Sequence, residues 1–209
     1  MVRRTKEEAL ATRHRLLDAA EHLFQAQGVS RTSLNDIALH AGTSRGAIYW
    51  HFKDKADLFN AMMDRVTLPL EQAFQNLSKD FASEPLDQLR AAMQQALLQI
   101  SSDSNTRRVF EVATQKVEYV DELQAVRARH LKVRNEFLIH VERGLQLAAV
   151  AQKLVIPIST ANAAQGLHAM VDGLIQNWLL DPQAFNLTSN GEQFIDIYLT
   201  GLGFALRRK

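Results

Sequence analysis

The sequence predicts an all-helical protein of about nine helices. A small N-terminal unit of three helices carries a helix-turn-helix, and a larger helical region follows it. Three observations lead there. The 209 residues include only nine glycines and four prolines, so few points break a helix. Apolar residues recur at three- and four-residue spacing along most of the chain. The stretch from Thr32 to Phe52, TSLNDIALHAGTSRGAIYWHF, reads as two short helices joined by a tight turn.

Composition narrows the class. Hydrophobic residues make up 46% and charged residues 22% of the chain, the balance of a globular protein with a sizeable core. Cysteine is absent, which excludes a disulfide framework and any thiolate metal site and fits a reducing cytoplasm. No apolar run approaches the ~18 residues of a membrane span, and the polar N-terminus does not read as a signal peptide. Net charge is +1, with ten basic against eight acidic residues over 1–65 and fourteen against fifteen beyond. That asymmetry is small, so local placement of charge carries more than the sum.

The elements follow in order. Arg3, Arg4 and Lys6 form a basic arm before any apolar period begins; it is either a frayed terminus or a phosphate or minor-groove contact. A first helix is expected from about Thr5 to Gln27, with Leu10, Leu16, Leu17, Ala20, Leu23 and Phe24 apolar and Gly28 closing it. Ser33-x-x-Asp36 approximates a capping box for the next helix, with Thr32 the alternative cap. Leu34, Ile37, Ala38 and Ala41 fall on its inner face, and Gly42 ends it. Thr43 or Ser44 caps the following helix, whose Ala47, Ile48 and Phe52 point inward. Asp54 caps a fourth helix starting near Lys55, which Pro69 either kinks or ends. The domain boundary is placed near Val66, giving 1–65 and 66–209. Beyond it, helices are expected from Pro85 to about Ile100, Thr106 to about Glu118, Val120 to Lys153, and Ser159 to Leu180. A last helix is expected after Asn190 and Gly191, ending at Arg207.

What the second short helix leaves outside suits DNA. Ser44, Arg45, Gly46, Tyr49, Trp50 and His51 offer donors, a cation and aromatic edges, with Lys53 and Lys55 following at once. Arg45 has the fork that reads guanine, a contact worth ~1–3 kcal/mol of discrimination when bidentate. Gly46 has no side chain to hold a sugar-phosphate strand away. Spacing alone leaves a plain helical hairpin with a solvated basic edge as the competing reading.

The run Thr43-Ser44-Arg45-Gly46-Ala47-Ile48-Tyr49-Trp50-His51-Phe52, followed by Lys53-Asp54-Lys55 and Leu58-Phe59, resembles the DNA-binding domain of the tetracycline repressor (TetR) family. It is most similar to the AcrR-like branch, the repressors of multidrug efflux pumps. The opening Arg3-Arg4-Thr5-Lys6-Glu7-Glu8-Ala9, the middle Thr106-Arg107-Arg108 with Lys116 and Glu118, and the late Val171-Asp172-Gly173-Leu174-Ile175 with Trp178-Leu179 extend the likeness. It is most specific over 1–65. The candidate DNA-binding set is thus Arg3, Arg4, Thr32, Ser33, Thr43, Ser44, Arg45, Gly46, Tyr49, Trp50, His51, Lys53 and Lys55.

The resemblance also implies a C-terminal ligand-binding and dimerisation domain. It puts Val66, Met93, Ala96, Phe110, Thr114, Phe137, Val141, His168, Val171, Asp172 and Ile175 around a cavity for a hydrophobic small-molecule inducer. Such pockets are mostly apolar with a few orienting polar groups. Asp172, a carboxylate in an apolar segment, needs either a basic partner or a ligand. Gly166, Ala169 and Gly173 in one helix and Gly201 and Gly203 in the last allow close backbone approach. In the family these helices pair across a two-fold axis, while an intramolecular hairpin is the simpler alternative. A homodimer is expected physically too, since one recognition helix meets few bases and a symmetric pair matches a palindrome.

Other classes fit poorly. His168 and Asp172 lie four residues apart and His130 and His140 ten, but spacing offers no third metal ligand. No nucleophile-base motif or glycine-rich phosphate loop occurs. No enzyme activity, cofactor or membrane partner is expected. A DNA-binding regulator controlled by a partner protein, with a filled C-terminal core, is the alternative to a ligand-responsive repressor.

Overall fold

The computed structural model describes residues 6–79 and 84–206, and every regular element among them is helical. The helices are α1 Lys6–Gln27, α2 Leu34–His40, α3 Arg45–His51, α4 Lys55–Lys79, α5 Pro85–Ser102, α6 Ser104–Gln115, α7 Gln124–Gln152, α8 Thr160–Leu180 and α9 Leu187–Gly201. A single 3-10 turn, Asp121–Leu123, precedes α7. Among these residues the predicted all-helical class and the number of helices hold. No described helix is long and apolar enough to cross a membrane.

Two compact units emerge. One comprises residues up to 67 with 108–131, the other 68–107 with the residues from 132 on. Residues 108–131, read from sequence as part of the C-terminal region, pack with the N-terminal helices. Val109, Val112, Leu123 and Val126 are buried in one cluster with Leu16, Leu17, Phe24, Ile37, Ile48, Phe52, Leu58, Phe59 and Met62. The Phe24 and Phe59 rings lie 6.0 Å apart and tilted, a geometry that aromatic pairs favour. Leu10, expected on the inner face of α1, is instead 53% exposed. The buried stripe of α1 begins at Thr12.

Local chemistry explains the tight turns. Gly28 at the end of α1 and Gly42 after α2 take positive φ, 87° and 64°, where a Cβ is penalised. After α2 the Thr43 amide donates to Ala38 O at 2.9 Å and the Gly42 amide to Leu39 O at 3.1 Å. That paired arrangement satisfies the last carbonyls of a helix. It also swings the chain into α3 across only four residues, 41–44. Asp54 accepts from the Asp57 amide at 2.8 Å and so caps α4, as expected. Pro69 neither ends that helix nor marks its limit, since α4 runs on to Lys79.

The second unit is built on α5, α8 and α9, with the later part of α7. Arg90 of α5 donates to Asp196 of α9 at 2.7 Å and 2.5 Å, a two-pronged pairing. These hydrogen bonds raise the Arg90 pKa, so its guanidinium holds its charge firmly. The last helix departs from expectation at both ends. Asn186, not a residue near Gly191, caps α9 by accepting from the Ser189 amide at 2.8 Å. The helix then closes at Gly201, and Arg207 lies outside the described residues. Gly191 falls inside the helix, where a Cβ would overlap Leu97 Cδ1 of α5. It is a packing glycine, not a turn glycine. Gly166 is similar: a Cβ there would overlap the Tyr198 hydroxyl, which donates to Ala163 O at 2.9 Å.

Candidate nucleic-acid interface

The exposed face is prepared by two caps. Ser33 Oγ accepts from the Asp36 amide at 3.1 Å while Asp36 Oδ2 accepts from the Ser33 amide at 3.0 Å, a complete capping box. The Ser33 hydroxyl also donates to the carboxylate, and these hydrogen bonds hold the Asp36 carboxyl below its ordinary range. Ser44 caps α3 by accepting from the Ala47 amide at 3.2 Å. Both helices therefore start with a satisfied first turn, and α3 keeps only Ile48 fully buried.

Outside stand Ser44, Arg45, Gly46, Tyr49, Trp50 and Lys53, with Thr43 and His51 half-buried and Ser33 exposed at the start of α2. The Arg45 guanidinium lies 5.7 Å from the Tyr49 ring centre, one turn on. The ring steadies the cation without using its donors. Trp50 is 73% exposed and meets His51 edge-on at 4.6 Å. From α1, Arg13 lies over the Phe52 ring at 5.2 Å. A methyl at Gly46 would meet only Ser44 Oγ, at 3.9 Å. Nothing inside the unit requires glycine there, so the bare backbone is turned to the outside.

Two expected members of this face are not on it. Thr32 is buried, its hydroxyl donating to Gly28 O at 2.7 Å and accepting from Gln27 Nε2 at 3.2 Å. Lys55 is only 8% exposed and its ammonium is turned inward, onto Ser30 O, Thr32 O and Glu122. Arg3 and Arg4 lie outside the described residues. Elsewhere in the same unit, the wholly buried Glu21 of α1 pairs with Arg65 of α4, with Arg108 of α6 3.9 Å away. Burial pushes the Glu21 carboxyl above its ordinary value, and Arg65 only partly opposes it.

The expected ligand residues are dispersed. Val66 and Phe110 pack on the core of the first unit, and the Thr114 hydroxyl is spent on Phe110 O at 2.8 Å. In the second unit Met93 and Val141 are buried, while Ala96, Val171 and Ile175 are half-buried. Phe137 and His168 come together, their rings 5.5 Å apart and edge-on. Among the described residues Asp172 has no Arg or Lys partner and accepts from Gln176 Nε2 at 2.6 Å. Among the described residues no three His, Cys, Asp or Glu are grouped to hold a metal. One surface cleft, of about 340 Å³, is lined by Pro85, Leu86, Ala148, Ala151 and Ala205, with Glu84, Asp87 and Gln152. A smaller one of about 220 Å³ lies between Arg15, Asp18 and His22 of α1 and His40 of α2.

A capped pair of short helices with a polar, aromatic outer face is the working part of a helix-turn-helix transcription regulator. Comparison with known proteins gives the family. Residues 16–62 match bacterial regulatory proteins of the tetR family, and residues 84–204 match the C-terminal region of MAATS-type transcriptional repressors. The regulator TtgR of Pseudomonas putida is 38% identical over 97% of this chain and 95% of its own. The crystal structure of NalD, the secondary repressor of the MexAB-OprM multidrug efflux pump in Pseudomonas aeruginosa, superposes with a TM-score of 0.85 at 35% identity, over 94% of this chain and 98% of that one. A complex of SmeT with triclosan gives 0.82 at 32% identity, over 91% and 90%; SmeT is the repressor of the Stenotrophomonas maltophilia efflux pump SmeDEF. The chain belongs to the TetR family of transcription regulators and is related to repressors of multidrug efflux pumps.

Proposed function

We propose that this chain is a ligand-responsive repressor that binds a palindromic operator as a homodimer, controls an efflux-pump operon and leaves DNA when a hydrophobic small molecule binds. In this reading residues 1–65 are the DNA-binding domain and 66–209 the ligand-binding and dimerisation domain, and the protein acts in the cytoplasm. The observation that carries it is the outer face of α3, where Arg45, Tyr49 and Trp50 surround a glycine that no internal contact demands. Ser33, Thr43, Ser44, His51 and Lys53 complete the DNA-facing set, with Arg3 and Arg4 as the arm.

Dimerisation is assigned to α8 and α9. Ile197 is 67% exposed and Leu180 71%, Phe194 is also exposed, and a Cβ at Gly173 or Gly201 would meet nothing within 4 Å. Apolar side chains beside bare backbone suit a second copy of the same helices. Triclosan in the SmeT complex supports a small, flat, apolar inducer. Its pocket is assigned to the expected residues of the second unit, Met93, Ala96, Phe137, Val141, His168, Val171, Asp172 and Ile175. A coupling of ~1–3 kcal/mol between the two sites would weaken DNA binding by roughly 5–150-fold.

The test is to select duplexes from a random-sequence library with the purified chain, then titrate triclosan and other hydrophobic drugs into the complex. Enrichment of a palindrome that a drug releases supports the reading. A palindrome bound without release by any drug would favour control by a partner protein.

A further inference from the structure

We propose that Lys55 is not a phosphate ligand but a positioning residue, which with Glu122 latches the loop that carries the cap of α2. The proposal rests on the DNA-binding reading and revises one member of its site.

An ammonium has three N–H donors and no more. At Lys55 three acceptors surround it: Ser30 O at 3.3 Å, Thr32 O at 3.2 Å and Glu122 Oε1 at 3.2 Å. Its side chain is 8% exposed while that of Glu122 is 59% exposed. Two donors are committed to carbonyls and the charge is paired with the Glu122 carboxylate, so the buried cation has its partners inside the unit. A phosphate would have to displace a carbonyl or the carboxylate to gain it.

What the ammonium gathers is the α1–α2 loop. Thr32, whose carbonyl it holds, precedes Ser33, the cap of α2. The same loop is held elsewhere from far along the sequence. The Val29 amide donates to Lys116 O at 3.0 Å, and the Ser30 hydroxyl donates to Glu118 Oε2 at 3.3 Å. Lys116, Glu118 and Glu122 all lie in the segment joining α6 to α7. The cap of α2 is thus placed by residues from the second half of the chain through contacts within one packed unit. A shift of the α6–α7 segment would reach the α1–α2 loop directly at Val29 and Ser30, and through Lys55 at the very start of α4.

Glu122→Gln distinguishes the two roles by the sign of its effect. If Lys55 were a phosphate ligand restrained by Glu122, removing that negative charge would free it, strengthen binding and steepen the salt dependence. If the latch positions α2, the same change loosens the loop and weakens operator binding, although a negative charge has gone. The measurement is the affinity of the full chain for a duplex selected by the wild type, between 50 and 200 mM salt. The expected result is a roughly fivefold or greater loss for both Glu122→Gln and Lys55→Met with the salt slope unchanged. A slope reduced by about one in Lys55→Met, or tighter binding by Glu122→Gln, would overturn the proposal. Hydrogen exchange of the Asp36 and Ile37 amides in the free protein gives a readout independent of DNA. Faster exchange in Glu122→Gln supports the latch, and unchanged exchange refutes it. Failure of the wild type to bind any duplex would strike the operator reading alone. Should Lys55→Met not fold, Glu122→Gln alone decides.

Discussion

At Gly46 the backbone of α3 is bare for no reason internal to the fold, the nearest group to an added methyl being 3.9 Å away. Replacing a helical glycine with alanine stabilises by about 0.5–1 kcal/mol. Gly46→Ala should therefore raise the melting temperature and lower operator affinity together, read by calorimetry and a binding titration. Unchanged affinity would remove this residue from the DNA face. Glu21 makes the opposite kind of residue, one whose environment works against its charge. Its pKa is raised above the ordinary 4.5, first by burial. A raised carboxyl contributes stability that is complete below 4.5 and is lost as pH rises through the folded value. The stability of the wild type relative to Glu21→Gln should then increase as pH is lowered from 8 to 5, in paired thermal melts. A difference that grows toward alkaline pH would mean that pairing with Arg65 outweighs burial. Neither the burial of Glu21 nor that of Lys55 could be read from spacing, because their partners lie 44 and 67 positions away.

Elements were legible where their ends are made by local chemistry. Ser33 with Asp36, Gly42, Ser44, Asp54 and Ser159 act within four residues of themselves, and the starts of α2, α3, α4 and α8 follow from them. The last helix starts earlier than its composition suggests, because Asn190-Gly191 has the make-up of a turn. The space beside Leu97 decides instead, and the glycine belongs to α9. Pro69 likewise reads as either a kink or a stop, and α4 carries it in its interior and runs on to Lys79. Gly42 offers a test at this scale. Space is free around it, so the φ of 64° is the whole cost of a side chain. Gly42→Ala should destabilise by about 1–2 kcal/mol, measured by denaturant titration, through left-handed strain alone. A neutral effect would mean that the turn re-forms without positive φ, and α3 would no longer be held in one place.

At the scale of the whole molecule, the candidate site divides in legibility as the chain divides in sequence. The DNA face is one contiguous stretch, so its residues can be named together; Thr32 leaves it for partners four and five residues back, and Lys55 for a carboxylate 67 residues on. The ligand residues come from five helices and Asp172 turned to Gln176, a partner four residues away that charge counting would not suggest. Ile197→Asp puts a charge on the exposed face of α9 and should shift the protein to monomer in sedimentation while leaving its helicity intact. It should also abolish binding to a palindrome, with weak contact to a single half-site surviving. A variant that stays dimeric would move the interface elsewhere. The central claim is that α3 presents Arg45, Gly46 and Tyr49 to DNA twice, in a symmetric pair. The most direct measurement is footprinting of the full chain on a selected duplex, with and without triclosan. The account predicts two protected half-sites related by a two-fold axis, both lost together when the drug is added and both absent in Tyr49→Ala. Protection of a single asymmetric stretch, or protection that Tyr49→Ala leaves intact, would contradict it.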